Sequence, residues 1–247
     1  MNKVQIAEKL EKTLERLDPR EIISLAYQEF GEHLVMTTAF GYSGIVLLSY
    51  VKDTLPQLPV YFIDTRFHFE ETLKLAEKLK SEWKLNLIYL STGFTENELK
   101  DKLGPKPYKT NPDWCCHYRK VEPLLDAFSE ETVWLNSTRR DQSHTRSKTR
   151  AIEIDGRGQL KVNPLFNWTK DDCWNHIRKY DLPYNPLHDQ FYPSIGCWPC
   201  THPVDEGGSE RDGRWAGSEK VECGLHLNGS RQTSQITTIP VKKFKGD

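Results

Sequence analysis

The sequence predicts an α/β protein with a doubly wound, mostly parallel sheet of Rossmann-like type, and three observations carry that reading. Four short apolar runs, Leu34-Val35-Met36-Thr37, Val60-Tyr61-Phe62-Ile63, Leu87-Ile88-Tyr89-Leu90 and Val133-Trp134-Leu135, have the length and composition of buried strands. Helical patterns alternate with them, which is the rhythm of a parallel sheet. A glycine-bearing loop, Ala39-Phe40-Gly41-Tyr42-Ser43-Gly44, joins the first run directly to the apolar helix that begins Ile45-Val46-Leu47-Leu48.

In chain order, residues 4–17 place Val4, Leu10, Leu14 and Leu17 at helical spacing. Asp18-Pro19 then supplies an N-cap and first-turn proline for a second helix, closed by Gly31. Residues 69–84 form a long amphipathic helix, and Thr95 caps a shorter one. Trp114-Cys115-Cys116-His117-Tyr118-Arg119-Lys120 runs into a helical stretch that Pro123 must kink or restart. Residues 151–163 read as a hairpin around Asp155-Gly156, and Thr169 caps a helix reaching Tyr180. Beyond Leu182, prolines and glycines displace regular structure. Ligands of such sheets gather at the carboxyl ends of the strands, here residues 38–44, 64–66 and 136–146.

The bulk numbers narrow the function. The chain has 247 residues, 34 basic and 35 acidic, for a net charge of −1. That balance argues against a general nucleic-acid binder. Neither a long apolar run nor a secretory leader is present, so no membrane partner and a cytoplasmic location are expected. In that compartment six cysteines favour metal binding or catalysis over disulfides.

The cysteines divide by spacing. Cys115-Cys116 and Cys197-Trp198-Pro199-Cys200 offer four thiolates in two local pairs, suited to an iron–sulfur cluster or structural zinc. Adjacent cysteines are awkward for zinc, which tilts the choice toward a cluster. Cys173, beside Trp174 and Ile177 on an amphipathic helix, reads as a packed thiol. Cys223 stands alone near Lys220, His226, Arg211 and Arg214, cations that favour a thiolate nucleophile and an anionic substrate. Two features could hold an anion: the glycine loop at a helix N-terminus, and the basic run Arg139, Arg140, Arg146, Lys148 and Arg150.

These motifs together resemble the assimilatory adenylyl-sulfate and phosphoadenylyl-sulfate reductases, in the adenine-nucleotide alpha-hydrolase-like superfamily. The likeness spans nearly all of residues 20–228. It includes Ala39-Phe40-Gly41, Asp64-Thr65, Cys115-Cys116-His117-Tyr118-Arg119-Lys120, Arg139-Arg140-Asp141-Gln142-Ser143, Ser194-Ile195-Gly196-Cys197-Trp198-Pro199-Cys200-Thr201, Arg211-Asp212-Gly213-Arg214-Trp215 and Glu222-Cys223-Gly224-Leu225-His226. Arg66 stands where many relatives carry glycine, and Tyr42-Ser43 occupy a loop often acidic in relatives.

The resemblance implies a thioredoxin- or glutaredoxin-dependent oxidoreductase of sulfate assimilation and cysteine biosynthesis, converting adenylyl sulfate to sulfite and AMP. Its nucleophile would be Cys223, carrying a thiosulfonate intermediate, with His226, Lys120, Arg211 and Arg214 in catalytic roles. Phe40, Gly41, Ser43, Thr65, Arg139 and Arg146 would bind substrate. Cys115, Cys116, Cys197 and Cys200 would hold one 4Fe–4S cluster per chain, the mark of the subfamily that mostly acts on adenylyl sulfate. The implied division is a reductase core over residues 1–200, a mobile catalytic segment over 201–228 and a disordered tail over 229–247. The resemblance leaves room for the 3′-phosphorylated substrate, dual specificity and a homo-oligomer. A tRNA-thiolating relative would need a Ser-Gly-Gly-x-Asp-Ser ATP loop and a basic face, which are missing. A zinc-stabilised binding module would make Cys223 dispensable.

Overall fold

The structure is a computed structural model that describes residues 3–205, 207–218, 220, 222 and 224–226, with only the backbone of His226. The tail expected over 229–247 lies outside the described residues, as do Cys223 and the side chain of His226.

Helix α1, Lys3–Leu14, leads to α2, Pro19–Phe30. Asp18 and Glu21 close a reciprocal capping box at 2.9 Å in each direction, as the Asp-Pro start implies. Strand β1, Leu34–Thr38, feeds α3, Tyr42–Thr54, and β2, Val60–Asp64, feeds α4, Glu70–Glu82. Strand β3, Leu87–Ser91, precedes α5, Glu96–Leu103, capped by Thr95. The short helices α6, Pro107–Thr110, and α7, Pro112–Cys116, went unread in the sequence because each is barely one turn.

After α7 the chain widens into a π-type turn, His117–Val121, before α8, Glu122–Ala127. Pro123 is the cause. It has no N–H for the Arg119 carbonyl, and its ring crowds that oxygen. The amide of Glu122 reaches back five residues to His117, and the helix restarts with Pro123 in its first turn. Such widened turns recur at functional sites; this one carries Lys120.

Strand β4, Val133–Leu135, and the hairpin of β5, Ile152–Ile154, with β6, Leu160–Val162, complete the sheet before α9, Lys170–Lys179. The strand order is β3-β2-β1-β4-β6-β5, parallel throughout except for β5 against β6. From β1 the chain builds outward to β3, then returns to lay β4 on the other side. That reversal opens a crevice at the carboxyl ends of β1 and β4. Helix α3 covers the sheet with Ile45, Val46, Leu47 and Leu48 wholly buried, and Cys173 of α9 is packed at 0% exposure.

The stretch after Cys200 is irregular yet pinned. Thr201 and Arg214 form an antiparallel bridge, the His202 amide donates to Gly213 O at 2.8 Å, and the Trp215 amide donates to Cys200 O at 3.0 Å. A Cβ on Gly213 would stand 2.1 Å from His202 O, so glycine alone permits this approach. Within the segment 201–228 expected to move, Thr201, His202, Gly213, Arg214 and Trp215 are thus hydrogen-bonded among themselves and to Cys200 in this conformation.

Candidate active site

The glycine loop shapes the crevice from the α3 side. Gly41 is the N-cap of α3 in extended geometry, and a Cβ there would meet nothing within 4 Å. The free first-turn amides of a helix are ready donors for an anion. Gly44 lies under this turn, where a Cβ would come 2.9 Å from Thr38 Oγ1. Phe40, with φ of 55°, turns its ring into the core against Phe62 at 5.1 Å. Its contribution is to fix the loop; Gly41 and Ser43, not its ring, line the cavity.

Two connected chambers occupy the crevice, of about 180 and 150 Å³. Together they reach the lower end of the range for small-molecule sites, roughly 300 Å³. The first is lined by Gly41, Ser43, Lys120, Arg146, Arg211 and Arg214. The second lies over the strand ends and takes in Thr38, Thr65, His68, Asn136, Thr138 and Leu225. Lys120, Arg146 and Gly196 belong to both. Burial holds the His68 imidazole below its ordinary range, so it faces the chamber neutral.

Arg66, the departure after Asp64-Thr65, has φ of 59°, the left-handed region where glycine is at ease. Its guanidinium is held by Phe94 O at 2.9 Å and Glu96 at 3.5 Å. The side chain thus returns contacts that a glycine at this position would lack.

Beside the first chamber the four paired cysteines line one narrow space of about 10 Å³, with Arg119, Lys120, Arg214 and Trp215 in its wall. Each is between 6% and 9% exposed. Burial first, and neighbouring thiols second, push Cys115 up to about 12 and Cys200 up to about 11. Cys197 Sγ lies 3.3 Å from Thr65 Oγ1, tying this floor to the end of β2. Arg119 forks onto Glu96 at 2.8 and 2.7 Å, donates to Thr65 O at 3.0 Å and lies 4.0 Å over the Phe67 ring. Among the described residues no three of His, Cys, Asp and Glu are drawn to single-ion spacing. The thiols face a shared space instead, and they are the residues that could hold a thiophilic metal group.

Lys120 and Arg214 line both the cysteine space and the first chamber. Arg214 is sandwiched: its guanidinium sits 4.6 Å from the Trp215 ring, and a Cβ on Gly196 would fall 2.3 Å from Nη2. Gly196→Ala should therefore displace only this flexible side chain. The expected result is a roughly tenfold lower kcat/KM with stability within about 0.5 kcal/mol of the parent. Steady-state kinetics beside thermal unfolding would check it, and an unchanged kcat/KM would refute the placement.

The basic run differs from the expectation of an anion gathering its charges. Arg139 is fully buried and held by protein groups: Tyr42 Oη at 2.7 Å, Glu210 at 2.9 Å, Asp141 at 2.9 Å and a close contact with Ser43 Oγ. It stands behind the cavity wall, and Ser43 is engaged with it. Arg140 donates to Thr149 O at 2.7 Å, and Arg150 pairs with Glu11 at 3.1 Å. Carboxylates distant in sequence resolve the repulsion, so spacing alone could not reveal it. Of this run, Arg146 is the residue that lines the cavity.

Glu222 and Leu225, on either side of Cys223 in the chain, meet this site. Gly224 packs where a Cβ would come 2.9 Å from Val121 Cγ2, and Leu225 O accepts from Arg157 at 2.9 Å. Glu222 pairs with Arg146 and Arg211 at 2.8 and 3.0 Å. Sequence reasoning assigned no role to Glu210 or Trp215, whose only signal was their place inside or beside a motif-bearing stretch, and it marked Tyr42 only as a departure in the glycine loop.

An adenosine 5′-phosphosulfate reductase of Bacillus cereus is 45% identical over 207 residues, 83% of this chain and 88% of that protein. One from Halalkalibacterium halodurans is 42% identical over 217 residues, 87% of this chain and 94% of its own. The phosphoadenylyl-sulfate reductase of Candida auris, solved as a phosphate complex, superposes with a TM-score of 0.70 at 33% identity. That superposition covers 80% of this chain and 96% of the other. The phosphoadenosine phosphosulfate reductase domain matches residues 33–203, the stretch that runs from β1 through both cysteine pairs. With the whole sheet, the glycine loop and the four paired cysteines inside that match, the chain belongs to the phosphoadenosine phosphosulfate reductase domain family.

Proposed function

We propose that the protein reduces adenylyl sulfate to sulfite and AMP, with a dithiol such as thioredoxin or glutaredoxin as electron donor. The observation that carries this reading is the convergence of Lys120, Arg146, Arg211 and Arg214 on one chamber beside the N-terminus of α3. A helix N-terminus with four cations suits a phosphosulfate.

In the first step the Cys223 thiolate attacks the sulfate sulfur. A sulfur–sulfur bond forms, the bond to the AMP phosphate oxygen breaks, and AMP leaves with the electron pair. The cations stabilise charge as it develops on that oxygen. In the second step one thiol of a dithiol attacks Cys223 Sγ and sulfite departs with the electron pair; the second thiol then attacks the first, closing the disulfide and expelling the Cys223 thiolate. The balance is two electrons per sulfite.

Cys115, Cys116, Cys197 and Cys200 would hold a 4Fe–4S cluster. Four buried thiols ringed by Arg119, Lys120 and Arg214 match a soft, polyanionic group better than a hard cation. When bound, the cluster supplies a fixed negative body beside Lys120. Lys120 itself contacts the chamber and orients the sulfate.

Preference for adenylyl sulfate over its 3′-phosphate is supported by the cysteine set and by the names of the 42–46% identical relatives. The decisive experiment incubates the full protein with adenylyl sulfate and no reductant. The peptide carrying Cys223 should gain the mass of SO₃ as AMP is released. AMP release with no adduct, or an adduct on another cysteine, would overturn the mechanism.

A further inference from the structure

Glu222 directly precedes the proposed nucleophile, and its carboxylate is held by four donors. Arg146 Nε and Nη2 reach its two oxygens at 2.8 Å each, Arg211 Nη2 adds 3.0 Å and Thr145 Oγ1 adds 3.1 Å. The side chains of Glu222 and Arg146 are each 11% exposed and that of Arg211 is 13% exposed. This is no rim ion pair. Two arginines, one of them forked, closing on one anion is the arrangement that recognises carboxylate, sulfate and phosphate alike.

Both arginines also line the first chamber, beside Lys120 and the N-terminus of α3. An entering oxyanion therefore needs donors that the carboxylate already holds. Two like charges in van der Waals reach repel strongly at the dielectric of a partly buried site, so both cannot hold the clamp at full strength. Burial alone would raise the Glu222 carboxyl, but the hydrogen bonds and charge of Arg146, with Arg211 behind them, hold it below the ordinary range. It is ionised whenever the protein is near neutral pH.

We propose that Glu222 is a positioning residue that stands in for the substrate's oxyanion: its carboxylate holds the Arg146–Arg211 clamp together, and an entering sulfate-type anion takes that clamp from it. The inference rests on reading the first chamber as an oxyanion site. It keeps the clamp formed without substrate and couples displacement of the Glu222 carboxylate to substrate entry, leaving Cys223 beside the anion it attacks. The two events are then linked through one pair of side chains.

The test uses the full-length protein and inorganic sulfate as probe. Binding is followed by calorimetry and by Trp215 fluorescence, since that ring lies 5.7 Å from the Arg211 guanidinium and 4.6 Å from that of Arg214. Glu222→Gln should bind sulfate about tenfold tighter than the parent, about 1.4 kcal/mol. Glu222→Asp, too short to span both arginines, should gain about threefold and serves if the glutamine variant fails to fold. Equal or weaker sulfate binding in the folded variant would overturn the proposal, because a merely structural ion pair would lose affinity when broken. Sulfite release from adenylyl sulfate by the parent is assayed separately. Its absence beside an intact gain in sulfate binding would overturn the reductase reading and leave the clamp exchange standing.

Discussion

Cys223→Ser is expected to lower thioredoxin-dependent sulfite release by at least about 10⁴-fold while leaving sulfate binding within about twofold of the parent. The substitution changes one atom, so steric disturbance is small. The chemistry changes completely. A serine hydroxyl is hardly ionised at neutral pH, whereas a thiol among cations is a ready nucleophile. A sulfate ester on serine would also be a dead end, because a dithiol needs a sulfur–sulfur bond to attack. The loss would therefore fall on kcat, with the cations of the first chamber still binding the oxyanion. Unfolding free energy should stay within about 0.5 kcal/mol. Retention of more than one part in a hundred of the parent rate would exclude Cys223 as the nucleophile.

The same experiment on a cysteine of the floor would read differently. Cys197 and Cys200 are buried in a pinned stretch, with Trp215 packed against Cys200 and the Trp215 amide bonded to its carbonyl. Loss there should appear first in stability and in the visible absorbance of any bound cluster. The proposed division between one reactive cysteine and four holding cysteines, expected from spacing, thus predicts a difference between kinetic and structural consequences.

How far the sequence led depends on the range over which each signal acts. The strands and capped helices were legible because apolar runs, Asp18-Pro19, Thr95 and Thr169 act within a few residues. Pro123 announced a break, and the widened turn that carries Lys120 is its local result. The cysteine pairs were legible as pairs, and their meeting in one space follows the fold. The arginine run was not. Its repulsion is relieved by Glu210, Glu11 and Glu222, each about seventy or more residues away, and no local pattern marks those partners. Phe40 shows the same limit, since whether a loop aromatic faces ligand or core is decided by Phe62 on the next strand.

Glu210→Ala is expected to destabilise the protein by about 3 kcal/mol, the lower part of the range for breaking a buried ion pair. Glu210 Oε2 accepts from Tyr42 Oη at 2.6 Å and from Arg139 Nη2 at 2.9 Å. Arg139 is wholly buried, and Glu210 is 11% exposed. Burial and the Glu210 charge both raise the Tyr42 phenol, and the carboxylate keeps its proton in place as a donor. Removing the carboxylate leaves a buried guanidinium with Asp141 as its acid partner among the described residues, itself one-third exposed. That residual contact keeps the expected loss below the upper limit. For a chain of this size the melting temperature should fall by roughly 6–12 °C. The change also frees the strand-like stretch near Gly213 from α3, so sulfate binding through Arg211 should weaken in parallel. Glu210→Gln, which can still accept from Tyr42, should recover part of the stability without the charge. Urea unfolding of the three proteins decides the matter. If alanine costs less than about 1 kcal/mol, Arg139 is held by its other partners and the latch between the glycine loop and the C-terminal stretch is not structural.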